Sequence, residues 1–214
     1  MKLLPSMLIA AGIYGSVFSP LAAPITYSVV VNTSSVIGTL GSIDVNFNPG
    51  GLTAQAASAE ISNVGGNGFV VGAPALTGDV HGILPGSITF DNATGFNDYF
   101  QEFTFGSILS FSVSLFGSAL SMPDGIATSG SALAFSVFSD AAGTIPVLTN
   151  DLITGFAFIL DVNLDGSTTQ INFSNETMLA PLSGTAAEPQ SLILVLSGLA
   201  LLTLSARRRR GMRN

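Results

Sequence analysis

The chain contains no cysteine. A disulfide framework, a thiolate nucleophile and a cysteine-bound zinc are therefore excluded. Tryptophan is also absent, which removes the usual aromatic platform for a sugar ring. Histidine occurs once, at His81. The sharpest deficit is in positive charge: between Leu3 and Ala206 there is neither lysine nor arginine. Five of the six basic residues stand between Arg207 and Arg213, and the sixth is Lys2. The 13 acidic residues run from Asp44 to Glu188. All but Glu188 fall within residues 24–187, so that stretch has a charge of −12 and can form no internal Lys or Arg ion pair. Such a surface excludes nucleic acid as a partner, because phosphate binding needs a cationic face.

Charge is sparse overall, at 9% of residues, but apolar residues make up 47% and phenylalanine numbers 15. That is the composition of a chain with a core to bury, not of a disordered one.

The first 23 residues have the layout of a secretory signal peptide. Lys2 precedes an apolar run from Met7 to Phe18, and small residues follow at Ala22 and Ala23. Cleavage is expected after Ala23. At the other end, residues 191–206 are uncharged and rich in leucine, and Arg207 to Arg210 follow at once. As a helix these 16 residues reach about 24 Å. Snorkelling arginines extend that toward the roughly 30 Å hydrocarbon core. Four adjacent arginines hold their side of a span in the cytoplasm. The expectation is that the membrane holds both basic ends inside while the acidic body is exported.

The order Glu188-Pro189, Leu-rich span, Arg207-Arg208-Arg209-Arg210 resembles the sorting tail of PEP-CTERM proteins. Ala187 stands where that family's pattern has proline. The resemblance implies an exosortase-type membrane peptidase as processing partner and a transient inner-membrane stage. It further implies cleavage near Glu188-Pro189 and delivery to the cell surface or the exopolysaccharide matrix. Within the body, YSVVVNTSS from Tyr27, GSIDVNFNPG from Gly41, FNDYFQEFTFG from Phe96 and FSDAAGT from Phe138 resemble a small family of PEP-CTERM proteins of no known activity.

Period-two alternation marks the body as all-β. It joins Tyr27, Val29 and Val31; Ile43, Val45 and Phe47, opposite Asp44, Asn46 and Asn48; Phe111, Val113 and Leu115; Leu133, Phe135 and Val137; and Phe156, Phe158, Leu160, Val162 and Leu164. Turn sequences such as Asn48-Pro49-Gly50-Gly51, Pro123-Asp124-Gly125 and Asp165-Gly166 separate these runs. The pattern predicts a two-sheet antiparallel sandwich, jelly-roll-like, flanked by the signal segment and the membrane-spanning sorting helix. The expected divisions are signal 1–23, body 24–179, linker 180–187 and sorting tail 188–214. Residues 53–60 are the one stretch suited to a short helical turn.

Asp161-Val-Asn163-Leu-Asp165-Gly166 carries the sharpest chemical motif. Oxygens at positions one, three and five followed by glycine match the first half of a calcium loop. The twelfth position is Asn172, so the closing glutamate is missing. The competing reading is a strand with Asp161, Asn163 and Asp165 on its solvent face, ending in a type I′ turn at Asp165-Gly166. Asp79 and His81 sit two apart without a nucleophile motif nearby and read as surface residues. The body is expected to be a non-enzymatic surface or matrix protein. The alternatives are a carbohydrate-binding module assisted by Ca2+ at Asp161, Asn163 and Asp165, and a secreted glycosidase using paired carboxylates.

Overall fold

The computed structural model describes residues 23–182. They form twelve strands: β1 (Ile25–Asn32), β2 (Leu40–Pro49), β3 (Ser58–Gly66), β4 (Phe69–Thr77), β5 (Val80–Gly82), β6 (Ile88–Asp91), β7 (Asp98–Thr104), β8 (Ile108–Phe116), β9 (Ser131–Phe138), β10 (Phe156–Val162), β11 (Thr168–Asn172) and β12 (Thr177–Leu182). A one-turn helix, α1 (Ser118–Ser121), opens the connection from β8 to β9.

The strands make two six-stranded sheets, ordered β12-β1-β8-β3-β6-β5 and β11-β10-β9-β2-β7-β4. Every strand pairing is antiparallel. Within the first eight strands the pairing is nested: β1 with β8, β2 with β7, β3 with β6. Successive strands therefore alternate between the sheets from β1 to β5 and again from β6 to β8, as when a long hairpin is rolled up, while β5 and β6 pair as neighbours within the first sheet. The last four strands extend this roll, β9 beside β2, β10 beside β9, β11 beside β10, and β12 on the free side of β1.

The two sheets are joined by their apolar faces. The alternating side chains Val29 and Val31, Ile43, Val45 and Phe47, Leu109, Phe111, Val113 and Leu115, and Leu133, Phe135 and Val137 are all buried. Phe111 of one sheet meets Phe135 and Phe158 of the other, at ring-centroid separations of 5.1 and 6.4 Å. Full burial of each such ring contributes about 1.5–3 kcal/mol. Tyr27 and Tyr99 are both in this core. The Tyr99 hydroxyl, which burial holds above the ordinary tyrosine range, accepts from Leu84 N–H and donates to Gln101 Oε1. The Gln101 amide donates to the Val71 carbonyl at 2.6 Å, so this buried polar side chain is satisfied.

Three expectations are corrected. Residues 53–60 form no helical turn. Ser58 to Glu60 pair with Asp91, Phe90 and Thr89, and the Asn92 side chain holds Ala57 N–H and the Gln55 carbonyl. The body also runs past residue 179, since Met178 to Leu182 pair with Val30 to Thr26. The first three residues assigned to the linker are thus strand. Finally, Phe156 leaves the inward row of β10. The register slips between Phe156 and Phe158 at a bulge, so Phe158, Leu160 and Val162 face the core while Phe156 is only half-buried.

Candidate functional site, a trough on the open face of one sheet

The inward residues of β2, β7, β9 and β10 fill the core, so their alternating partners form the sheet's outer face. From β2 come Asp44, Asn46 and Asn48, from β7 Asp98, from β9 Ala132 and Ala134, and from β10 Ile159 and Asp161. The small β9 side chains leave a depression between longer neighbours. Two hollows of about 450 and 410 Å³ result, meeting at Asn48 and Ala132. The first is lined by Asp44, Asn46, Asp98, Phe96 and Phe156 among others. The second extends along Gly130, Ser131, Asp161 and Asn163.

Asp44 and Asp98 are diagonal neighbours across the β2–β7 pair, since Asp98 lies opposite Asn46. Both line the same hollow. Burial first, then the hydrogen bond and the charge of Asp98, push the Asp44 pKa up to about 8. The Asn46 amide opposes this by donating to Asp44 Oδ1 at 2.8 Å. At neutral pH the Asp44 carboxyl therefore keeps its proton.

The loop that carries Phe96 is fixed by Asn97, which is fully buried. Its amide donates to the Phe47 and Thr94 carbonyls, and its Oδ1 accepts from Asp79 N–H. Asn48 Oδ1 accepts from Asn97 N–H at 2.6 Å. The trough wall is thus tied to its floor.

The calcium-like motif lies at one end of the trough. Asp161 is within β10, opposite Thr169 and Ala132, and burial raises its carboxyl above the ordinary range. The Asn163 amide is turned to Ser167 and Thr169, donating to their hydroxyls at 3.0 and 2.9 Å. Asp165 Oδ1 accepts from the Ser167 hydroxyl at 2.6 Å and from its N–H at 3.0 Å, which holds its pKa low. These contacts build the β10–β11 turn. It is not of type I′, which needs positive φ at both central residues. Positive φ occurs in this turn at Gly166 (80°), and among the described non-glycine residues only at Asn63 and Leu148. The Gly166 N–H bonds the Asn163 carbonyl, as in a type I turn closed by a glycine bulge. Among the described residues, no group of three or more His, Cys, Asp or Glu side chains is placed to share a metal ion.

His81 is exposed on β5, at the edge of its sheet. Ala23 is the first described residue and is exposed. Glu188, Pro189 and Arg207 to Arg210 lie outside the described residues. Among the described residues, no helix is long and apolar enough to cross a membrane.

Sequence reasoning did not single out the Asp44–Asp98 pair. The alternation of Asp44, Asn46 and Asn48 against an apolar face was its only signal, because which β7 residue stands beside them depends on strand register. No protein-family model, curated protein or solved structure matches this chain.

Proposed function

We propose that this protein is an exported, non-enzymatic component of the cell surface or exopolysaccharide matrix, delivered by a signal peptide and then processed by an exosortase-type peptidase. The observation that carries the reading is the segregation of charge. Lys2 and Arg207 to Arg210 flank two apolar segments, with a body of −12 between them and Glu188-Pro189 at the start of the tail. The nested strand pairing supports a jelly-roll-like body. The test is an intact-mass measurement on the mature protein from the surface fraction. The expected mass lacks residues 1–23 and the span with its arginines. A surface protein that retains Arg207 to Arg210 sinks the processing claim.

Within that role the trough favours carbohydrate binding as the body's task. Asn46, Asn48, Asp44 and Asp98 offer donors and acceptors to hydroxyl groups, and Phe96 and Phe156 offer apolar surface for a sugar ring. A glycan array probed with and without a chelator tests this reading and any calcium assistance at Asp161, Asn163 and Asp165. Loss of binding on chelation would establish the ion. Binding to no glycan would remove the carbohydrate reading while leaving the sorting reading intact.

A further inference from the structure

The trough's chemistry is selective, and it deepens the carbohydrate reading on which it rests. Its Asp44–Asp98 pair sits in a hollow of about 450 Å³ with Asn46 and Asn48 on the same strand. Phe96, itself 54% exposed, and Phe156 supply its aromatic surface. Charged groups from the surrounding strands are all acidic: Asp161 from β10 and Glu102 from β7, while β9 contributes Ala132 and Ala134. The entire stretch 24–187 contains no lysine or arginine. An anionic glycan, such as a uronic-acid or sulfated polymer, meets only like charge here. A neutral glycan makes hydrogen bonds but leaves that field unanswered.

We propose that the trough binds a glycan bearing protonated amino groups, a de-N-acetylated amino-sugar polymer, with one ammonium seated between Asp44 and Asp98. An ammonium has three N–H donors and no acceptor, whereas Asp44 and Asp98 are both acceptors once the Asp44 proton leaves. Binding exchanges that proton, released to solvent, for the ammonium's N–H groups. Charge-assisted bonds of this kind are shorter and stronger than those of a hydroxyl. The Phe96 ring offers its face to the same cation or to the apolar face of the adjoining sugar. The second hollow, with Asp161 on its wall, receives the next residues of the polymer.

The experiment is calorimetric titration of the full chain in a neutral detergent with three hexasaccharides: fully de-N-acetylated chitohexaose, N-acetylated chitohexaose and cellohexaose. Moderate salt suppresses diffuse attraction to the acidic body. The amine-bearing oligosaccharide should bind about tenfold or more tightly than the other two, with a measured enthalpy that varies with the buffer's ionisation enthalpy, as proton release requires. Asp44→Asn and Asp98→Asn should each remove that preference and the proton release, and Asp124→Asn, on an exposed loop, should change neither. Thermal unfolding of each variant verifies that it is folded. Equal binding of all three oligosaccharides, or a preference that survives both trough variants, overturns the amine assignment while the carbohydrate reading stands. Binding of none overturns the amine assignment, and the glycan array then decides whether the carbohydrate reading falls with it.

Discussion

Asp44 of β2 and Asp98 of β7 share one hollow on the open face of the sheet, two register positions off direct opposition, close enough for Asp98 to raise the Asp44 pKa. Like charges in that position repel, and the fold accommodates them by keeping a proton. Asn46 braces the arrangement from the same strand.

The first prediction concerns stability against pH. The Asp44 carboxyl ordinarily titrates near 3.8 and is raised to about 8 in the fold. Between those values the native state binds more protons than the unfolded chain, so stability falls as pH rises. The contribution is fully present below about 3.8 and lost by about 8. In Asp44→Asn the amide oxygen still accepts from Asn46 and its NH2 donates to Asp98. The variant should lose that pH slope and be more stable than wild type at pH 8, by at least about 1.4 kcal/mol, the free energy of one pKa unit. Denaturant melts at pH 5 and pH 8 measure the difference.

A second prediction tests the join between the sheets. Phe111 packs on Phe135 and Phe158 from the opposite sheet. Phe111→Ala should cost about 3–5 kcal/mol by opening a cavity. Phe69, 61% exposed on an edge strand, should cost well under 1 kcal/mol when changed to serine. Equal losses would contradict the packing described.

Third, Asn97→Ala should destabilise by about 2–3 kcal/mol, because it strands the buried Phe47 carbonyl and the Asp79 N–H. Since the same side chain fixes the loop bearing Phe96, glycan binding at the trough should weaken even at temperatures where the variant is fully folded.

Two glycines offer a contrast. Gly166 has φ of 80°, and a Cβ there would lie 2.8 Å from Pro123 and 2.9 Å from the Leu120 carbonyl. Gly125 has φ of 67° with open space around it. Gly125→Ala should cost about 1–2 kcal/mol, the left-handed backbone alone, and Gly166→Ala clearly more. Thermal unfolding of the two variants ranks them.

The alternation of apolar and polar residues made the strands legible, because a two-residue period needs only neighbours in sequence. Val29 with Val31, or Ile43 with Val45 and Phe47, announce their buried face without reference to any partner. The β10 bulge was not legible. Phe156 continues the period, and only pairing with β9 shifts it outward. Weak periodicity suggests a helical turn at residues 53–60. The structure spends those residues on β3 and on bonds to Asn92, while the one α-helical turn among the described residues lies at Ser118–Ser121.

The sequence by itself determined that a body without cations lies between two basic ends, that it is built of strands, and that its polar alternates face solvent. Those are properties of order along the chain. Which strands become neighbours, and hence that Asp44 meets Asp98 beside Phe96 and Phe156, was decided by tertiary structure. Strand pairing joins residues 54 positions apart through a shared core, and a slip of one residue would have sent every one of these side chains to the other face.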